Sequence, residues 1–488
     1  MAGRQVRDSF GEMEVPRGAL WGASTQRVIN KLGVSPLRLP AIFIASLGII
    51  KAAAARANVS LGILDRVRGE AIERAAQEVA DGVLNDQFVV DLFQTGSGTA
   101  TNMNANEVIA TRAMVIIKEK GGTEVEIHPN DHVNMGQSSN DVFPSAVHIS
   151  AYRLCQQQLL PALKELQRVL EIKSSTFADV IKAGRTHLQD ATPITLGQEF
   201  SGYATQIRRN IERIERGSLG LLRLALGGTA VGSGLNTHPL FAEFAIREIV
   251  AKTGFPFVET ENHFEAQASM DVAVEMSGQL KTLAISMMKI ANDLRLLSSG
   301  PRCGFGEISL PAFAPGSSIM PGKVNPVVCE MVLMVSAQVI GNDSTITVCG
   351  QHGNLELHTM MPVLAYNLLQ SIELLASISR LFAESCISGI EADRERCLAY
   401  AESSLSVVTA LAPTIGYEKA ATVAREAMRQ GRSIKEVARD LRVVPTDEVD
   451  RLCDVTKMTG AGLYKRDQLV TSTCCRKDTK KLQIIKNI

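Results

Sequence analysis

The most regular hydrophobic pattern in the chain runs from Val272 to Leu297, where Met276, Leu280, Leu283, Met287, Ile290, Leu294 and Leu297 recur at alternating steps of four and three residues. That spacing keeps one side of an α-helix apolar along its whole length, with Lys281, Lys289, Asn292 and Asp293 off the strip. It predicts a long helix packed at a shallow angle in a bundle and ended by Gly300 and Pro301. The same period returns in Tyr203, Ile207, Ile211 and Ile214, and again in Leu368, Ile372, Leu375 and Phe382. A central helical bundle is therefore expected between about residues 140 and 390.

A further helical segment from Val147 to Ile172 carries Pro161 inside its pattern, where the missing amide donor and the ring should kink it. The apolar run Ala41 to Ile50 ends at Lys51 and reads as a buried helix too short to span a bilayer. After Asp393 the units shorten: Tyr417 to Gln430 stops at Gly431, and Ser433 with Glu436 has the spacing of a capping box. The expected organisation is an N-terminal, mainly helical domain (1–136), a central bundle (137–392), a small C-terminal helical domain (393–460) and a tail (461–488). The stretch Arg476 to Ile488, with five basic residues against one acid and no usable period, is expected to be disordered.

Composition sharpens this to an all-α class, because only 5% of residues are aromatic while 45% are hydrophobic, a balance suited to long helices. The 51 basic and 51 acidic residues cancel, so the overall charge recruits neither nucleic acid nor an anionic membrane. Nine scattered cysteines, without paired metal-ligand spacing and with only Cys474 and Cys475 adjacent, fit a reducing compartment. The sequence MAGRQVRDSFGEMEV lacks the apolar core of an export signal, and a cytoplasmic location is expected.

Four polar, glycine-rich strings interrupt the helical background. QTGSGTATNMNANE (Gln94–Glu107) offers Ser97, Gly98, Thr99 and Asn102 as a loop able to hold a carboxylate, although a capped turn would need similar residues. HPNDHVNMGQSSND (His128–Asp141) precedes a core helix whose amide-rich start could bind an anion. Its His128 and His132 are four apart, but Pro129 argues against one continuous helix and no third strong ligand is near, so no metal is expected. GRTHLQDATPITLGQ (Gly184–Gln198) contains His187, the side chain there suited to acid or base work at neutral pH. PGSSIMPGKVNP (Pro315–Pro326) surrounds Ser317, Ser318, Lys323 and Asn325 with three prolines and two glycines. That donor set matches a carboxylate whose charge grows during reaction.

The string PGSSIMPGKVNP resembles the signature of the fumarase and aspartase superfamily, whose members eliminate water or amines beta to a carboxylate. The resemblance extends from about Asp8 to about Leu441 and includes GGTAVGSGLNTHP at Gly227 to Pro239. It implies a three-domain fold whose central helices assemble into the core of a homotetramer, with three chains contributing to each site. It also implies a small dicarboxylate substrate and no metal or organic cofactor. His187 and the two serines of QSSND resemble the class II fumarases, whereas aspartases typically carry Gln at the histidine position and Thr at that of Ser139. Met135, Gly136, Ala100 and NMNANE lean toward the aspartases.

Carried over position by position, the resemblance implies a substrate site of Ser97, Gly98, Thr99, Ser138, Ser139, Asn140, Thr186, Ser318, Lys323, Val324 and Asn325. Ser317 would be the base that takes the carbon-bound proton, and His187, paired with Glu330, would handle the water. His128, Pro129, Asn130 and Asp131 resemble a secondary anion site. The implied reaction is reversible hydration of fumarate to L-malate. Aspartate ammonia-lyase is the nearest alternative, and a catalytically silent scaffold on the same fold is an alternative of another kind.

Overall fold

The computed structural model describes residues 3–121, 125–313 and 315–462. Strands β1 (Arg4–Asp8) and β2 (Gly11–Val15) form an antiparallel hairpin, followed by α1 (Ala23–Leu32), α2 (Ala41–Ser60), α3 (Arg66–Ala80) and α4 (Thr99–Glu119). Next come α5 (Ser139–Leu154), α6 (Leu160–Thr176), the hairpin of β3 (Ile181–Thr186) and β4 (Gln189–Thr195), and α7 (Leu196–Ser218). Helices α8 (Phe241–Thr253) and α9 (His263–Ala268) lead to three long ones, α10 (Asp271–Leu297), α11 (Val327–Gly350) and α12 (Met361–Leu381). The C-terminal part contains α13 (Arg394–Ser403), α14 (Ala412–Ile415), α15 (Tyr417–Gln430), α16 (Ile434–Asp440) and α17 (Thr446–Leu452). Cys474, Cys475 and the basic end from Arg476 lie outside the described residues.

The apolar seam from Met276 to Leu294 is the buried side of α10: Met276, Leu280, Leu283, Met287, Ile290 and Leu294 are inaccessible to solvent. Tyr203, Ile207, Ile211 and Ile214 of α7 and Leu368, Ile372 and Leu375 of α12 are buried in the same way. Polar ties fix the bundle where apolar packing alone would let helices slide. Asp343 of α11 accepts from Ser277 and Lys281 of α10 at 2.8 and 2.6 Å, and Asn342 donates to Ser371 of α12 at 3.0 Å.

Two readings are corrected. The helical segment begins at Ser139 rather than Val147 and is interrupted by a π-helical turn at Cys155–Leu159, just before Pro161. Proline cannot donate to the ladder, and the wider turn takes up the break. The apolar run does not end at Lys51: α2 continues to Ser60, and Lys51 is buried within it. By length and composition α2, α11 and the α12 region are each long and apolar enough to cross a bilayer. In α2, 78% of the apolar window is buried against protein.

By packing, the chain divides into two compact units. One comprises Met1–Glu165, Ile207–Lys289 and Glu330–Leu381, and the other Leu166–Gln206, Ile290–Cys329 and Phe382–Ile488. In the second, Ala401, Val407, Leu411, Val423, Val437, Val449 and Leu452 build a separate hydrophobic cluster. Ser433 and Glu436 form the capping box of α16, and Gly431 ends α15 in the left-handed region at φ 63°, both as the sequence predicts.

Candidate active site

In the first unit the sequence brings two helix N-termini together. Gly98 sets up α4 with a left-handed φ of 74°, and a Cβ there would collide with the Phe143 ring, so only glycine fits. The next residue, Thr99, bonds through its hydroxyl to Ser97 at 2.8 Å and to Ser139, the first residue of α5, at 2.7 Å. Ser139 reaches Asn140 at 3.4 Å, and Asn140 donates to the carbonyl of Ala230 at 2.8 Å. Ser138 caps α5: its hydroxyl accepts from the Asn140 amide, while its own amide donates to Asp141. Ser97, Thr99, Ser138, Ser139 and Asn140 thus form one hydroxyl and amide cluster at the positive ends of two helices, a setting that favours a carboxylate.

The rest of the polar string after Ser97 and Thr99 serves structure. Asn104 accepts from the amide of Val89 and donates to the carbonyl of Gln87. Glu107 accepts from the amides of Gly22, Ser24 and Thr25, satisfying the start of α1, whose cap residue Gly22 has no side chain for that task. Gly136, one of the departures from the fumarase pattern, has φ 72° with Thr237 and Phe241 close by, so the turn itself calls for glycine.

Pro129, Asn130 and Asp131 lie on a π-helical turn, Pro129–Val133, which His128 caps. The Nδ1 of His128 accepts from the Asp131 amide, and the Nδ1 of His132 accepts from the His128 amide. Asn130 and Asp131 face solvent. Burial holds the His132 imidazole below its ordinary pKa, and the nearby Arg68 adds to this.

In the second unit His187 sits at the tip of the β3–β4 hairpin, flanked by the Thr186–Gln189 pair. His187 and Leu188 both adopt left-handed backbone, φ 57° and 60°, the arrangement of a type I′ turn that Asn-Gly usually supplies. Strain of about 1–3 kcal/mol per residue persists only where the surroundings impose it, and it presents Thr186, His187 and Leu188 exposed at the tip. The hairpin is anchored by buried charge. Lys182 contacts Glu199 at 2.8 Å and Glu307 at 3.1 Å, and Arg185 contacts Glu307 at 2.9 Å while stacking over Phe305.

The loop of Ser317 is closed by its own bonds: the Gly316 amide donates to the Lys323 carbonyl at 2.8 Å, and Asn325 donates to the Gly316 carbonyl at 2.7 Å. The hydroxyl oxygen of Ser317 accepts from the amides of Ile319 and Met320 at 3.2 and 3.0 Å. Two amides aimed at one oxygen favour negative charge on it. Ser318, Lys323 and Val324 are exposed, and Lys323 has no acidic partner among the described residues. Glu330 lies exposed in the first turn of α11.

A family model described as Lyase matches residues 11–341, and another described as Fumarase C C-terminus matches residues 407–460. A protein of Bradyrhizobium diazoefficiens named fumarate hydratase class II 2 is 51% identical over 461 residues, covering 94% of this chain and 98% of its own. This chain belongs to the class II fumarate hydratases. Fumarate hydratase 2 of Arabidopsis thaliana is 50% identical, with 94% of this chain and 92% of its own covered. The crystal structure of the class II fumarase from Schistosoma mansoni superposes with a TM-score of 0.91 at 39% identity, covering 93% of this chain and 99% of that one.

In this fumarate hydratase family member, a buried charged pair behind the hydroxyl cluster escapes sequence reading. Lys51 donates to Asn134 at 2.8 Å, and Asn102 donates to the same oxygen at 3.2 Å. Asp141 accepts from the amides of Ser138, Gly227 and Thr229, tying QSSND to the GGTAVGSGLNTHP loop. Burial pulls Lys51 down to about 7, partly offset by Asp141, and pushes Asp141 up to about 6 against its three amide donors and Lys51. The only warning in the sequence is a lysine inside an apolar helix.

The sign of the Lys51 effect follows from its depressed value. Its contribution to stability is present above the unfolded pKa of 10.5 and is lost as pH falls through about 7. Asp141, raised, contributes oppositely: its stabilisation is present below 3.8 and lost as pH rises through about 6. Replacing Lys51 with Met removes the first contribution and, because the lysine charge holds Asp141 down, lets that carboxyl rise further, and both changes make the variant less favourable relative to the parent as pH rises. The thermal midpoint of the variant relative to the parent is expected to be most favourable at pH 7 and to decline steadily toward pH 10. The underlying penalty is on the order of 5 kcal/mol. Calorimetry at fixed protein concentration measures this, and a difference that does not change with pH would contradict the buried, poised lysine.

Proposed function

We propose that the chain catalyses the reversible hydration of fumarate to L-malate at a site assembled from several copies of itself. The observation that carries this reading is the hydroxyl chain Ser97–Thr99–Ser139 at two converging helix N-termini, a seat for a carboxylate. In the malate-to-fumarate direction Ser317, its oxyanion supported by two backbone amides, takes the proton from the carbon beside one carboxylate. Lys323 and Asn325 face the charge that develops on that carboxylate. His187, paired with Glu330 of another copy, gives a proton to the departing hydroxyl, and water leaves. The water carries off the hydroxyl with the proton of His187, the electron pair of the broken carbon–hydrogen bond becomes the carbon–carbon double bond, and Ser317 returns its proton to solvent while His187 takes one up, which resets the site.

His187 and Ser139 favour water over ammonia as the group expelled. The asparagines and glutamate of NMNANE carry less weight for the alternative, because Asn104 and Glu107 are engaged in holding neighbouring backbone. Assembly is supported by α11, where only 39% of an apolar window is buried within the chain and Val327, Met331, Met334 and Val348 stand exposed along one stripe. We assign that stripe to the central helical core of a homotetramer, with copies of α11 against one another. The described cysteines are all free and six of the seven are buried, which suits a reducing cytoplasm.

The test is ultraviolet absorbance of purified, metal-chelated protein given L-malate and, separately, L-aspartate, following the conjugated double bond of fumarate. Signal with malate alone is expected. Signal with aspartate alone, with ammonia released, would replace the hydratase reading by the ammonia-lyase one, and silence with both would leave only a scaffold.

A further inference from the structure

The segment matched as Fumarase C C-terminus contains a cleft of about 590 Å³ that none of the candidate catalytic residues lines. That volume is in the range of small-molecule sites. Its wall brings together Lys419 of α15, Arg439 of α16 and Arg442 in the connection to α17, with no acidic residue among the lining side chains. Neither Lys419 nor Arg442 has an acidic partner among the described residues, and Arg439 pairs with Asp450 through one terminal nitrogen. Ile415, Val443 and Val444 give the same cleft an apolar side.

Two observations separate this cleft from an ordinary basic surface. The first is the backbone at Arg442. Helix α16 ends in a Schellman motif: the amide of Val443 donates to the carbonyl of Ala438 at 3.2 Å, and that of Arg442 to the carbonyl of Arg439 at 3.0 Å. The residue that must turn left-handed there is ordinarily glycine, yet this chain places Arg442 at φ 48°. A guanidinium is thus held at the cleft against the local conformational preference. The second is unmet hydrogen bonding. Arg439 Nε and Thr414 Oγ1, in two of the residues that line the cleft, are buried polar atoms without a partner among the described residues. Three cationic side chains on one wall, two of them without an acidic partner among the described residues, are the complement of a multiply charged oxyanion.

We propose that this cleft binds a phosphate ester of nucleotide size. Its phosphate oxygens meet the charges of Lys419, Arg439 and Arg442, and its apolar moiety lies along Val443, Val444 and Ile415. Arginine offers phosphate a planar fork of donors, whereas the apolar wall has no use for a bare inorganic anion. A four-carbon dicarboxylate would leave much of the cleft empty.

The experiment is titration calorimetry of the full-length protein at constant ionic strength with ATP, adenosine, inorganic tripolyphosphate and citrate, each repeated in saturating L-malate. ATP is expected to bind in both conditions, tripolyphosphate more weakly, and adenosine and citrate not measurably. Arg442→Gly relaxes the left-handed position, so the variant keeps its fold, and about a tenfold loss of ATP affinity is expected from the missing charge-assisted contact. Lys419→Gln, at an exposed position, should weaken binding in the same direction. Absence of heat with ATP, an ATP affinity that both variants leave unchanged, or displacement by L-malate would each overturn the proposal. Citrate binding as tightly as ATP would overturn the assignment to phosphate.

Discussion

Ser317→Ala is expected to lower turnover of L-malate by about 100-fold or more, the range for a lost acid or base group. The substitution removes one oxygen from a loop whose shape is set elsewhere, by the Gly316 to Lys323 and Asn325 to Gly316 bonds. The two amides of Ile319 and Met320 would then face water instead of a developing alkoxide. His187→Asn is expected to cost a similar factor, but at the other half of the reaction. In deuterium oxide the two variants should part company. The Ser317 variant stops exchanging the carbon-bound proton of malate, whereas the His187 variant still exchanges it while failing to release water. Near-parental turnover in either variant, with unchanged oligomeric state, would remove that residue from the mechanism. Exchange that survives in the Ser317 variant would assign the carbon proton to another base.

Met334→Glu should break the proposed assembly and with it the activity. Met334 is 66% exposed in the single chain and lies midway along the apolar stripe of α11. A carboxylate there would be desolvated at every copy of the interface, with like charges brought together by the symmetry. Sedimentation velocity should show dimers or monomers in place of a tetramer. Turnover should fall on the order of 100-fold, because the seryl loop and His187 of one copy would no longer meet the hydroxyl cluster of another. A fully active, smaller species would show that one chain holds a complete site. An intact tetramer would place the interface on another face.

The helical frame was legible because apolar seams report burial directly: each position picked from Met276 to Leu294 is inaccessible in the structure. Loop chemistry was legible as composition, and Ser97, Thr99, Ser139 and Asn140 do join in one cluster. The division of labour within each string was not. Short polar side chains serve backbone amides and ligands equally well, so Asn104 and Glu107 looked the same as Thr99 until their partners were seen. The two hairpins were missed because β1, β2, β3 and β4 are only five to seven residues long and rich in charged or small residues, too short for their alternation to stand out. Lys51 was misread because sequence counts it as a polar stop, whereas the fold supplies Asn134 and Asp141 from far along the chain.

The bond between Glu107 and the start of α1 also sets a schedule for synthesis. The amides of Gly22, Ser24 and Thr25 leave the ribosome more than 80 residues before the carboxylate that satisfies them. Until α4 emerges, α1 is a ten-residue segment with open donors and no stabilising cap, below the length at which an isolated helix persists in water. Helix α1 therefore waits uncapped on the growing chain, and arrest of translation before Glu107 would leave its first amides without their partner.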